Sequence, residues 1–251
     1  MTETHEQPQP RDLDTGERLV TTGRAVADAI GHKARGSHEG GEAARQHVEA
    51  AEAERIVEDW PAAPKGIARQ MVEKYGPPNE ATPTKLFWYR NGPWKRTIVD
   101  RDTVTHNWPT VHSDFLTQVI DYRVPPDLID DVAKFDGSIL VDRTRGEVAA
   151  RCDTEAANVL GLNMVHEIVG GKRSWEEARE TSVQNTVAYN IGRKAPYAER
   201  LLVEVPQGGT EDLDEGMITG PMLRQAAGKA KDLVTGDQEE ATDRLTGPDA
   251  T

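Results

Sequence analysis

The sequence predicts an α+β fold: a mainly antiparallel sheet of about five strands with helices packed on one face, flanked by acidic flexible arms. Three observations carry this expectation. First, charge is partitioned. The chain has 30 Lys+Arg and 43 Asp+Glu; residues 1–60 hold 7 and 13 of them and residues 206–251 hold 4 and 10, which leaves the middle near neutral. Second, every Phe, Trp and Tyr except Trp60 lies within 61–205. Large aromatic side chains contribute much of the burial that offsets the entropy of ordering a chain. Third, strand-like segments in the middle follow one another as hairpins, which requires antiparallel pairing. The expected organisation is therefore an Ala/Glu-rich arm at 1–59, a core at 60–205 and a tail at 206–251.

The elements follow in order. Residues 1–20 lack periodicity and read as disordered. Segments 21–35 and 41–59 are helix-compatible, but their apolar faces are mostly alanine and would bury little. KGIARQMVEKY (65–75) places Ile67, Met71 and Val72 or Tyr75 on one helix face, and Gly76-Pro77-Pro78 ends it. KLFWYR (85–90) and WKRTIVD (94–100) read as strands around Asn91-Gly92, the pair favoured in type I′ turns, although Pro93 permits a longer loop. Residues 101–113 read as a polar loop and Ser113 as the cap of a short turn. TQVIDYRV (117–124) alternates as a strand, and PDLIDDVAKF (126–135) is a helix opened by proline. SILVD (138–142) and GEVAAR (146–151) form a second hairpin. Two helices follow, at 153–169 and 174–191, with Asp153 and Ser174 as N-caps. Trp88, Trp94, Phe115, Phe135, Leu160 and Leu162 are the expected core.

A formal net charge of −13 opposes binding to nucleic acid phosphates and to anionic membranes. No apolar run is long enough to span a bilayer, and the N-terminal residues lack the apolar stretch of a secretory leader. A single cysteine, Cys152, excludes an internal disulfide and a Cys-based zinc site. The expected compartment is cytoplasmic, and the acidic arms make a protein the expected kind of partner.

Several residue sets have the chemistry of a site. HNWPTVHSDF places His106, His112 and Asp114 within nine residues. Two imidazoles and a carboxylate suit a divalent metal and leave a position for water. The alternative is a polar loop whose histidines cap strand ends. In the helix at 153–169, Glu155 and His166 fall on one face, with Asn158 and Asn163 as further polar interruptions. That stripe is either a pocket wall extending the metal set or a polar face bonded to a neighbouring loop. Arg143 and Arg145 at a hairpin tip could clamp an anion, or simply be solvated. Trp94-Lys95-Arg96 could stack on and pair an anionic ligand, or be a half-buried strand that alternates aromatic with basic residues. Cys152, near a helix N-terminus, could be a thiolate nucleophile beside His112 or His166, although Asp153 opposes ionisation.

The segments KYGPP (74–78), GPWKRT (92–97), His106/Pro109/His112/Asp114, DGS (136–138), RTRGE (143–147), ARCD (150–153) and LGLN (160–163) resemble an uncharacterised bacterial domain family of unknown function across residues 61–190. GSHEGGEAARQH (36–47) is similar to the glycine-repeat segments of small bacterial stress proteins, and GKAKDLVTGDQEEATDRLTG (228–247) to the CsbD-like stress family. The resemblance implies a discrete domain and no activity. Two functional expectations follow. One is a non-catalytic module with acidic disordered arms, stress-associated or protein-interacting. The other is an enzyme-like domain that binds a metal or anion where the 101–114 loop meets the 153–169 helix.

Overall fold

The computed structural model of the 251-residue chain describes residues 13–35, 41, 43–206 and 208–218. They belong to two compact units, residues 1–38 with 214–251, and residues 39–213. In the first unit, helix α1 (Thr15–Arg35) begins on a reciprocal cap: Glu17 N donates to Asp14 Oδ1 at 2.8 Å and Asp14 N to Glu17 Oε2 at 3.2 Å. Residues 15–20 are thus helical rather than disordered, and Leu19, Val20, Val26 and Ile30 on this helix are exposed. The tail beyond residue 218, including the CsbD-like segment, lies outside the described residues.

The second unit is mixed α+β. Its six antiparallel strands are β1 (Glu80–Thr82), β2 (Lys85–Asn91), β3 (Trp94–His106), β4 (His112–Asp121), β5 (Ile139–Asp142) and β6 (Glu147–Cys152). They are ordered β1-β2-β3-β4-β6-β5. The helices are α2 (Ala50–Val57), α3 (Ala62–Tyr75), α4 (Ile129–Phe135), α5 (Glu155–Val169), α6 (Trp175–Asn190) and α7 (Pro196–Glu199). The sixth strand is β1, whose three residues are too few to leave a periodic signal.

Cross-strand rows build the core. Leu86, Val99, Leu116 and Cys152 are successive register partners, as are Trp88, Thr97, Gln118, Ala150 and Ile139. Opposed residues share a face, so these rows form one mainly apolar surface. Helix α5 lies on it: Asn158 Nδ2 donates to Leu116 O at 3.0 Å, and a Cβ at Gly161 would stand 3.3 Å from Ile139 Cδ1. Beyond the other end of those rows, Trp88 Nε1 donates to Gly76 O, just past α3, at 2.9 Å. All six aromatic and leucine residues expected in the core are buried.

The hairpin turns differ from expectation in detail. Asn91 pairs with Trp94, so the β2–β3 loop is Gly92-Pro93. Gly92 has φ 67°, but a type I′ turn needs positive φ at both central residues, which proline cannot adopt. The N-cap of α5 is Thr154, not Asp153; its hydroxyl accepts from Ala157 N. Ser174 caps α6 as expected, in a capping box with Glu177.

The ordered unit also reaches beyond 60–205 at both ends. Val48 N donates to Pro78 O at 2.8 Å, Asn79 Nδ2 donates to Gln46 O at 2.7 Å, and Ala53, Val57 and Trp60 are buried. Residues 43–59 are therefore part of the fold. On the C-terminal side, Arg123 donates to the carbonyls of Gly209, Thr210 and Glu211. This strap crosses the β5–β6 turn so closely that a Cβ at Gly146, φ 63°, would meet Thr210 C at 2.2 Å. No helix among the described residues is long and apolar enough to cross a membrane.

Candidate metal centre

Residues 101–106 and 112–116 are not loop. A register shift between Val99 and Val104 carries β3 and β4 past the body of the sheet, and the last residues paired are His106 and His112. Directly opposed side chains on a strand pair meet, and the two imidazole centroids are 5.0 Å apart. Asp114, two residues along β4 on the same side, is only 1 % exposed. One donor atom from each of His106, His112 and Asp114 lies within 4.8 Å of the others.

The outer nitrogen of each ring faces an acceptor. His112 Nδ1 is 2.8 Å from Thr110 O and so carries the proton. Its Nε2 is 3.2 Å from Asp114 Oδ1 and 3.3 Å from Cys152 Sγ. His106 Nε2 is 3.6 Å from Asp136 Oδ1, and its Nδ1 is 3.3 Å from Ser138 Oγ and 3.7 Å from Asp114 Oδ2. Histidine ligands are commonly oriented by a carbonyl or carboxylate on the nitrogen that does not bind metal.

Asp114 is short of hydrogen-bond donors. Ser138 Oγ donates to Oδ2, while Oδ1 is buried without a hydrogen-bond partner. Arg151 Nε stands 3.9 Å from Oδ2, within ion-pair range but too far to hydrogen-bond. A buried carboxylate left in this condition is costly unless a cation or proton joins it. The 3.2 Å between His112 Nε2 and Asp114 Oδ1 is close to the roughly 3.4 Å edge of a tetrahedron with ~2.1 Å bonds, so a metal would draw His106 inward by on the order of 1 Å.

The geometry argues against a Cys-His-Asp relay. Cys152 Sγ and Asp114 Oδ1 approach the same nitrogen, whereas a relay needs the carboxylate on the far one. Burial, reinforced by Asp153 and Asp114, pushes the Cys152 thiol far up. Burial likewise raises the Asp136 carboxyl, against the hydrogen bond from Ser138 N.

Glu155 and His166 are not brought to this cluster. They share a helical stripe but stand roughly 16 Å apart along the helix axis. Glu155 accepts from Tyr75, Lys74, Trp94 Nε1 at 2.7 Å and Gln118 Nε2 at 3.2 Å. His166 Nδ1 is 3.0 Å from Tyr122 Oη. The asparagines of the stripe are structural pins: Asn163 Nδ2 donates to Tyr197 O and Arg200 O, and its Oδ1 accepts from Leu202 N. The anion candidates face carboxylates instead, Arg143 with Asp212 at 3.0 Å and Arg145 with Asp142 at 3.3 Å. Lys95 and Arg96 likewise pair with Glu147, and Lys95 also with Asp121.

Three residues of the centre carried no metal signal in the sequence: Thr110, Asp136 and Ser138. Asp136-Gly137-Ser138 reads as a turn, and it is one, with Ser138 N donating to Asp136 Oδ1 at 2.7 Å. Its place opposite His106 is a tertiary fact.

Two cavities adjoin the centre and share Pro109, His112, Cys152, Ala157, Leu160 and Thr186 as walls. The inner one, about 40 Å³, is also lined by His106, Asp136 and Ser182. The outer one, about 160 Å³, extends over Thr154, Ala156 and Ala198. Comparison of the chain with protein-family models, curated proteins and solved structures finds no match in any of the three.

Proposed function

We propose that residues 39–213 form a divalent-metal-binding domain, with His106 Nδ1, His112 Nε2 and Asp114 Oδ1 as ligands. The observation that carries this reading is the convergence of ligand atoms: one from each of His106, His112 and Asp114 lies within 4.8 Å of the others, Thr110 O takes the far nitrogen of His112, and Asp114 Oδ1 is buried with no hydrogen-bond partner. Two histidines and one carboxylate leave a metal coordinatively open, the arrangement of catalytic zinc sites and of non-haem iron sites. Water held on zinc in such a set ionises near pH 7, which would make the centre competent for hydrolysis or hydration. Cys152 Sγ, 3.3 Å from His112 Nε2, is placed to become a fourth ligand, which would close the centre into a structural one.

Cobalt titration of chelator-treated protein tests the proposal. One Co²⁺ per chain is expected, with visible absorption, and His112→Ala should weaken binding more than tenfold while leaving the far-ultraviolet circular dichroism unchanged. An intense sulfur-to-cobalt band that disappears in Cys152→Ser would mean the closed centre. Protein that takes up no cobalt, zinc or iron would overturn the proposal. The non-catalytic, protein-interacting module with acidic arms would then be the better reading.

A further inference from the structure

We infer that the two adjoining cavities are a single ligand pocket of this metal centre, and that it takes a small neutral molecule with one metal-binding heteroatom and an apolar body. The inference rests on the metal-binding reading and adds to it what the open coordination position is for.

The inner chamber supplies the first argument. Ser182 Oγ, on α6, belongs to a residue 3 % exposed and has no hydrogen-bond partner, yet Ser182 lines the chamber that contains His106, His112 and Asp136. A buried hydroxyl without a partner loses about as much as a missing hydrogen bond, so a polar guest in this chamber restores it. A volume near 40 Å³ admits a few water-sized atoms, enough for a polar head but not for a whole organic ligand.

The outer chamber supplies the second. Its walls include Ala156, Ala157, Leu160 and Ala198, which give an apolar surface beside Thr186, one of the residues that line both cavities. At about 160 Å³ it is well below the range for drug-sized ligands, so the body of the guest is small. Charge supplies the third. Neither cavity is lined by Lys or Arg, whereas Asp136 and Asp153 line one each and Asp114 stands at the metal position. Arg151, 3.9 Å from Asp114, and Arg179, which acts on Asp136, are not among the cavity walls, so the surface that a guest meets is acidic and favours a neutral heteroatom over an anion.

Pyrazole and its 4-methyl, 4-ethyl and 4-propyl homologues are suitable probes. They are uncharged at pH 7.5, bind metals through one nitrogen and carry an N–H that Ser182 can accept. Each is titrated into the Co²⁺-loaded full chain and followed by the cobalt absorption. Affinity should rise about fourfold per added methylene until the outer chamber is full. Ser182→Ala should weaken pyrazole about fivefold with cobalt affinity unchanged. Thr186→Phe, which adds bulk at a wall that both cavities share, should abolish the chain-length dependence and also keep the cobalt. A cobalt spectrum that pyrazoles at millimolar concentration do not change, or that acetate and butyrate change at lower concentration, would overturn the pocket while leaving the metal centre intact. Absence of any cobalt spectrum would overturn both.

Discussion

Glu155 is half-buried and Asp114 fully buried, and their surroundings give the two carboxylates opposite roles. Glu155 has four donors, from Lys74, Tyr75, Trp94 and Gln118. Burial alone would raise its carboxyl, but the hydrogen bonds from Lys74, Tyr75 and Trp94 and the Lys74 charge outweigh that and hold it below its ordinary value. A group whose folded value is depressed stabilises the fold above its unfolded value, and the benefit is lost as pH falls through the folded one. Glu155→Gln should therefore lower stability by about 1–3 kcal/mol at pH 7 and less near pH 3, as measured by urea unfolding at the two values. A loss of equal size at both would mean that the charge contributes nothing. Asp114 has one donor, the Ser138 hydroxyl, and an oxygen with none. In metal-free protein, Asp114→Asn should cost little or even raise the melting temperature, because it removes an undercompensated charge. The same variant should lose the stabilisation that added zinc gives the wild type. A large destabilisation of the metal-free variant would show that Arg151 and the histidines already satisfy the carboxylate.

At the scale of elements, the strands with an apolar period were legible and the one with a polar period was not. KLFWYR and TQVIDYRV announce themselves because their inward residues, Leu86, Trp88, Gln118 and Ile120 among them, meet the core. RDTVTH does not, because residues 102–105 are exposed and alternation between polar residues looks like loop. The metal candidates sit at the end of that polar extension. The residues could therefore be chosen from the sequence, but the strand pairing that opposes His106 to His112 could not. The same cause hid the Thr154 cap: Asp153 and Thr154 are adjacent, both are good caps, and only the hydrogen bond to Ala157 N distinguishes them. Ser174 was legible because Glu177 completes a capping box three residues on. Ser174→Ala should lower stability by about 1 kcal/mol by thermal or urea unfolding, and Ser174→Asp should restore most of it. A neutral Ser174→Ala would mean that α6 is held by packing alone.

At the scale of the whole molecule, the charge partition located the aromatic core but misplaced its edges. Composition weighs side chains, whereas Val48 N is held by Pro78 O, Gln46 O by the Asn79 side chain, and residues 209–211 through their carbonyls by Arg123. Neither contact leaves a compositional trace. A chain cut to 60–205 should accordingly melt below one cut to 43–213, since it loses Val57 from a core shared with Trp60, Met71, Leu86 and Trp88, and loses the carbonyls that Arg123 binds. One fully buried valine contributes about 1.5–3 kcal/mol, a large share of the stability of a single domain. The proposed metal centre would act at a different place in the same unit. A metal there would tie the tip of the exposed β3–β4 extension to Asp136 and Ser138 ahead of β5, and binding at a hundred times the dissociation constant would add about 2.7 kcal/mol to the folded state. Local opening is cheapest where backbone hydrogen bonds are exposed to solvent, as along residues 102–105. Zinc should therefore slow amide exchange most at 101–114 and 136–138, and leave α3 and the β1–β2 pair nearly unchanged. Slowing spread evenly over residues 43–213 would instead mean that the metal stabilises only against global unfolding, and that the extension is already as firmly closed as the sheet from which it grows.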